Sequence, residues 1–381
     1  MKIYKLAHDI DTHKALKELH IDSGASTILH DKMHHHLIKI EGLHVAAANI
    51  LKQDALSIGA EVATPKGVIT CEEKYVDVIL MGTTKHLKSL SKKELSQPFG
   101  LKTLALELKS FIKKQEVSVD IMGVINANDD SFFSASRFQS TKAVAKIYEM
   151  IKDGASIIDI GAVSSRPGST AVDAQEELSR LRPIIDMIWE EKIFEKATFS
   201  IDSYEPLVVA YALEHGFKII NDITGLANNA ICELAAQHKA RVVIMHMQGN
   251  PQTMQENPQY ENVVTEVSDF FKKRIEKAQS YGITDICLDV GIGFGKSLEH
   301  NLLLLKHLGH FESLGFPLLI GASRKSMIDH ILPTPVEERL PATLAIHMEA
   351  LKRGASIIRC HDVKEHTQAL SIHKALQTIL Y

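Results

Sequence analysis

The sequence predicts an α/β protein, a (β/α)8 barrel preceded by a small α+β domain, on three observations. From Val117 onward short apolar runs alternate with amphipathic segments, the runs number eight, and residues 117–381 match the ~250 residues that such barrels typically occupy. In order the runs are VSVDIMGVIN (117–126), SIIDIGA (156–162), TFSIDS (198–203), KIINDIT (218–224), RVVIMHM (241–247), ICLDVG (286–291), PLLIGAS (317–323) and SIIRCHD (356–362). Their near-continuous apolar character suits strands of a parallel sheet covered on both faces. Between them, stretches such as AQEELSRLRPIIDMIWEE and EERLPATLAIHMEALKRG space their apolar residues as helices do. An open, doubly wound sheet is the alternative, because spacing alone does not show closure.

Residues 1–113 stand outside this rhythm and form the predicted extension, leaving 114–381 to the barrel. Helices are expected at HVAAANILKQDALSIGA and FGLKTLALELKSFIKKQ, and strands at HHLIKIEGL and VDVILMGTT. The lysine-rich KHLKSLSKKEL reads as the solvated face of a helix.

Bulk composition narrows the function classes. A net charge of -4 and 24% charged residues offer no general attraction to nucleic acid or to an anionic membrane, so any anion must be held by local groups. No apolar segment approaches a signal peptide or a membrane span, and the expected location is the cytoplasm. Cys71, Cys232, Cys287 and Cys360 lie far apart, which argues against zinc sites and a disulfide framework. The run His34-His35-His36 reads as surface or half-buried side chains in preference to a metal cluster.

The polar residues concentrate where the runs end, which in a barrel is the rim that carries the active site. The ends supply Asn126, Asp159, Asp202, Asn221 with Asp222, His246, Asp289, Ser323-Arg324-Lys325, and Arg359 with His361 and Asp362. Asp202, Asn221, Asp289 and Lys325 complement a flat heterocycle with an amino-amide edge: a carboxylate accepts from a ring N–H and an exocyclic amine together, and a lysine donates to a ring carbonyl or nitrogen. Ser165, Arg166, Ser323, Arg359 and His361 offer a site for a polyanion. Near Asn126, a magnesium ion with mostly water and phosphate ligands would suit a diphosphate. Asp159 and Asp222 read as structural acceptors for backbone donors. DVGIGFGKS (289–297) ends like a nucleotide-binding phosphate loop, yet Val290 stands where that loop needs its first glycine, so the Gly-Lys-Ser must serve another purpose.

The ordered series IMGVINANDDSF, SIIDIGAVSSRPGS, SIDSYEP, IINDITGL, VVIMHMQGNPQTMQ, LDVGIGFGK, LLIGASRKSMI and IIRCHDV resembles dihydropteroate synthase over essentially the whole barrel. That family condenses 6-hydroxymethyl-7,8-dihydropterin diphosphate with p-aminobenzoate, releases pyrophosphate, and is the sulfonamide target of folate synthesis. The resemblance places Asp202, Asn221 and Asp289 on the pterin edges, Lys325 by its carbonyl side, and Met245, Ile223 and Phe294 as apolar walls. It makes Asn126 the magnesium-associated residue and Arg359 and His361 the diphosphate contacts, puts Ser165 and Arg166 on a loop over the p-aminobenzoate end, and implies a homodimer. Departures cluster in the first two loops. The family usually has Thr-Pro at Asn128-Asp129, a glycine pair near Ser134–Ser136 and Glu-Ser-Thr at Val163-Ser164-Ser165, besides proline at Val290. Two rival readings are a pterin-binding barrel that transfers a methyl group, and a noncatalytic binding or interaction protein.

Overall fold

The computed structural model describes the chain apart from residues 2, 5, 8, 9, 113–117, 128–136, 164–171, 251, 252, 380 and 381. It divides into two compact units, Met1–Lys114 with His373–Tyr381, and Gln115–Ile372.

The first unit is built on a three-stranded antiparallel sheet of order β1-β3-β2, with β1 at His35–His44, β2 at Glu61–Ala63 and β3 at Tyr75–Thr83. In β3 strict alternation buries Val76, Val78 and Leu80 while Tyr75, Asp77 and Ile79 face outward. The buried face packs on Leu51 and Ala55 of helix Val45–Ile58, Leu87 and Leu90 of helix Thr84–Lys93, and Leu101 and Leu108 of helix Leu101–Ser110. Helix Val45–Ile58 stops at Gly59, whose φ of 85° closes the last turn. The lysine-rich helix exposes Lys85, Lys92 and Lys93 around its buried leucines, as expected. Two further helices, Thr12–Glu18 and Ser23–Met33, and the short β2 were not anticipated; Ser23–Met33 buries no residue, so it carries no apolar stripe to read.

The second unit is a closed barrel of eight parallel strands: β4 Asp120–Asn126, β5 Ile157–Gly161, β6 Thr198–Asp202, β7 Ile219–Asp222, β8 Arg241–Met245, β9 Ile286–Asp289, β10 Leu318–Ile320 and β11 Ile357–Cys360. Pairing of Ile357–Cys360 with Asp120–Gly123 closes the ring and excludes an open sheet. Outward residues such as Ile158, Ile160, Phe199, Ile201 and Ile244 pack beneath the helices, while Met122, Ile157, Ile219, Val243, Cys287, Leu319 and Ile357 fill the axis as one plug. This double burial is why the runs read as unbroken apolar sequence. Truncating any one large plug residue to alanine should cost about 2–5 kcal/mol.

The two-residue period of a strand then fixes the next layer. Two positions beyond Ile157, Ile219, Val243, Cys287 and Ile357 stand Asp159, Asn221, Met245, Asp289 and Arg359, on the same side of their strands and nearer the carboxyl ends. A polar floor therefore lies directly on an apolar plug.

Candidate active site

Arg359 is the hub of that floor. It donates from Nε to Asp159 Oδ2 at 2.7 Å and from Nη2 to Asp202 Oδ2 at 2.6 Å, and Asn221 Nδ2 donates to the same Asp159 oxygen at 3.0 Å. Burial works against the guanidinium charge, but Asp159 and Asp202 outweigh it and hold Arg359 firmly protonated. Burial likewise raises the Asp202 carboxyl while Arg359 draws it back; contact at 2.6 Å favours the ionised pair. Asp159, fully buried, thus acts as the spacer that orients Asn221 and Arg359.

Asp289 lies at the end of β9 and accepts from the backbone N–H of Gly291 at 2.8 Å through Oδ1. Burial raises its carboxyl, opposed by that hydrogen bond and by Lys325, Arg359 and Lys296. Ile223, Met245, Met254 and Phe294 form one apolar cluster, with Tyr204 and Met247 packed on it. Lys325 Nζ stands 4.2 Å from the centroid of the Phe294 ring, a cation–π contact. Acceptors, one amide, a lysine and an apolar wall are thus gathered at one rim, a set suited to a flat polar ring.

A second group flanks Arg359. Ser323 Oγ and His361 Nδ1 are 3.0 Å apart, and burial followed by the Arg359 charge holds the imidazole down to about 4. With Ser323 donating to Nδ1, the neutral ring carries its proton on Nε2, a donor for an anion. Arg324 is occupied elsewhere: its Nε and Nη2 grip Asp362 at 3.1 and 2.7 Å. The sequence divides the rim into a ring-reading set and an anion set, and Arg359 links them. Asn126 is half-buried at the end of β4, in register with Gly161. Ser165 and Arg166 lie outside the described residues, as do most of the first two loops.

Several residues that shape the site escaped the sequence reading. Asp222, by contrast, fits its structural reading, accepting from Thr224 N and Oγ1 at 2.7 and 2.6 Å and from Leu226 N at 2.9 Å. Glu177 sits buried in helix Ala174–Glu190, its carboxyl pushed up to about 7 by burial against a hydrogen bond from Ser203, the residue after Asp202. The one available signal was an acid on the apolar face of a helix. His347 and His366 form a buried pair behind the anion group, with Nδ1 of the first 2.8 Å from Nε2 of the second.

Among the described residues, no helix is long and apolar enough to cross a membrane, and no group of three or more His, Cys, Asp or Glu is arranged to hold a metal ion. His36 Nε2 instead meets Thr84 Oγ1 at 2.8 Å.

Residues 122–361 match the family described as pterin binding enzyme. The chain is 42% identical over 368 residues to a bifunctional dihydropteroate synthase/dihydropteroate reductase of Helicobacter pylori, covering 95% of this chain and 97% of that protein. Among solved structures, a Yersinia pestis dihydropteroate synthase with a sulfonamide drug complex superposes with a TM-score of 0.64 at 35% identity, over 70% of this chain and 99% of that one. The Thermus thermophilus dihydropteroate synthase in complex with 4-aminobenzoate gives 0.61 at 36% identity, over 68% of this chain and 95% of that one. With a closed barrel, a polar floor at its carboxyl rim and relatives of this similarity, the chain belongs to the dihydropteroate synthase family of pterin-binding enzymes.

Proposed function

We propose that the barrel condenses 6-hydroxymethyl-7,8-dihydropterin diphosphate with p-aminobenzoate, giving 7,8-dihydropteroate and pyrophosphate. The observation that carries this reading is the continuity of the rim. Asp202, Asn221, Asp289 and Lys325 suit the pterin edges, Ile223, Met245 and Phe294 its faces, and Arg359 links them to Ser323 and His361, which suit a diphosphate.

Breaking the C–O bond leaves a methylene cation that the electron-rich dihydropterin ring delocalises. The protein's tasks are then to neutralise the departing negative charge and to hold the amine in line. The Nε2–H of His361 serves the first, together with the N–H groups that Arg359 does not give to Asp159 and Asp202. A neutral aromatic amine needs no strong base, so no side chain is assigned that role. Magnesium, bound chiefly by diphosphate oxygens and water, would add charge neutralisation, and a single amide oxygen from Asn126 fits a cation that takes few protein ligands. We also assign a homodimer, to be checked by sedimentation. Incubating the purified chain with the pterin diphosphate, magnesium and p-aminobenzoate should yield dihydropteroate and pyrophosphate, with inhibition by a sulfonamide. Pterin binding without turnover would favour the noncatalytic reading.

A second activity is favoured by the extent of the matches. The Helicobacter pylori protein, named for both a synthase and a reductase, aligns with 95% of this chain, whereas the Yersinia pestis synthase is 99% covered by 70% of it. In the Helicobacter pylori protein the additional segment accompanies the second name. We assign it to reduction of dihydropteroate, in which a ring C=N bond would gain a hydride at carbon and a proton at nitrogen, the hydride supplied by a dihydronicotinamide or reduced flavin taken up as co-reactant. The 381-residue chain given dihydropteroate and either donor should form tetrahydropteroate; no product with either donor removes this reading and leaves the synthase intact.

A further inference from the structure

The Gly-Lys-Ser at residues 295–297 has a purpose that its phosphate-loop look conceals. Lys296 is 3% exposed, and its ammonium stands 3.1 Å from His246 O, 2.9 Å from Phe294 O and 3.0 Å from His246 Nδ1. Burial pulls the amine down to about 7 against the nearby Asp289; in its ammonium form those three acceptors match its three N–H bonds, so no donor remains for a phosphate. Because Nδ1 accepts, the His246 proton resides on Nε2; burial, reinforced by the neighbouring lysine, holds that ring neutral.

The contact joins the ends of two adjacent strands. His246 directly follows β8, and Phe294 belongs to the turn after β9. Close approach is possible because Gly291 and Gly295 have φ of +68° and +60°, and a Cβ there would stand 2.0 Å from His246 O and 2.5 Å from Gln248 O. The same turn is pinned along its length: Gln255 Nε2 donates to Gly293 O at 2.6 Å and Tyr260 Oη to Gly295 O at 2.8 Å. At its start Gly291 N holds Asp289, and in its middle Phe294 joins the apolar wall and carries Lys325.

We infer that Lys296 is a positioning residue: a buried strut that fixes the turn after β9 so that Asp289 and Phe294 present one edge-and-face seat for the pterin ring. The inference rests on the pterin-site reading above. Lys296→Met keeps the length and removes the charge and its donors. It should raise the dissociation constant for 6-hydroxymethylpterin tenfold or more and raise the KM for the pterin diphosphate in parallel. The KM for p-aminobenzoate and the affinity for pyrophosphate should stay within threefold. Tyr260→Phe, which removes one more tether of the same turn without unburying a charge, should shift pterin affinity the same way by about threefold, and it carries the test if the lysine variant does not fold. Pterin affinity within twofold of the parent in a folded Lys296→Met, whatever its melting temperature, overturns the assignment. A parent chain that binds no pterin at all instead overturns the site reading beneath it.

Discussion

Arg359 Nη2 and Asp202 Oδ2 are 2.6 Å apart, although they stand on strands β11 and β6 and are separated by 157 positions in the chain. With the second contact to Asp159, the guanidinium holds two carboxylates at once. Lysine keeps the charge but cannot span both oxygens. Arg359→Lys is therefore expected to lower kcat/KM for the pterin diphosphate at least a hundredfold, about 3 kcal/mol. It should also weaken binding of the diphosphate-free pterin alcohol about tenfold, because Asp202 loses its counter-charge. Unchanged calorimetric affinity for the alcohol would place the Arg359–Asp202 pair outside the ring-binding region.

Asp289→Asn should abolish most activity with little change in fold. One amide oxygen can still accept from Gly291, but its NH2 group then faces the donors of the ligand. A loss of about 3 kcal/mol or more, roughly a hundredfold in pterin affinity, follows from that mismatch. Affinity within threefold of the parent would remove Asp289 from the ring edge.

Glu94, in the first unit, is fully buried, and its carboxyl faces that of Asp54, to which it can donate only when protonated. Burial, with help from Asp54, pushes its carboxyl up to about 7. A group raised in the folded state favours folding less as pH rises from its unfolded value near 4.5 through 7. Glu94→Gln removes the ionisation, so the variant should gain stability over the parent by on the order of 2 kcal/mol at pH 8 and by much less at pH 5. Equal gains in urea melts at the two pH values would show that Glu94 stays neutral throughout or stays charged throughout.

The histidine pair gives the opposite dependence. Ala322 N–H donates to His347 Nε2 at 3.0 Å, His347 Nδ1 donates to His366 Nε2 at 2.8 Å, and His366 Nδ1 donates to Asp362 O at 2.6 Å, so every proton position is set and both rings are neutral. Burial, followed by His366, holds His347 down to about 3. Below the unfolded value of ~6.5 only the unfolded chain takes up the proton, so this contribution is present above pH 6.5 and lost progressively as pH falls towards 3. The stability gap between parent and His347→Ala should shrink by up to ~1.4 kcal/mol per pH unit from 6.5 to 5. A gap independent of pH would mean that His347 is protonated in the fold.

Much of this architecture was legible because local and global signals coincide. Strands covered on both faces must be apolar throughout, and the residues that break that rule, Asp159, Asn221, Asp289 and Arg359, do so where the strands reach the rim. Lys296 could not be read in the same way: its acceptor His246 O is 50 residues distant, and the local Gly-Lys-Ser spacing points to a different chemistry. Glu177 and the His347–His366 pair were hidden because single polar residues inside helical stretches look like solvated faces until the packing is known. Helix Ser23–Met33 had no burial pattern to announce it.

The seven-residue plug beneath the floor has a kinetic consequence. A chamber stoppered at one end has a single doorway, so whatever sits deepest enters first and leaves last. On the proposed reading, a ring seated on Asp202, Asn221 and Asp289 would occupy the dead end, so whatever reacts with it would arrive from above, and whatever is released towards the rim would clear the doorway before the ring could follow. The stopper would thereby impose a sequence of arrival and departure that needs no moving part.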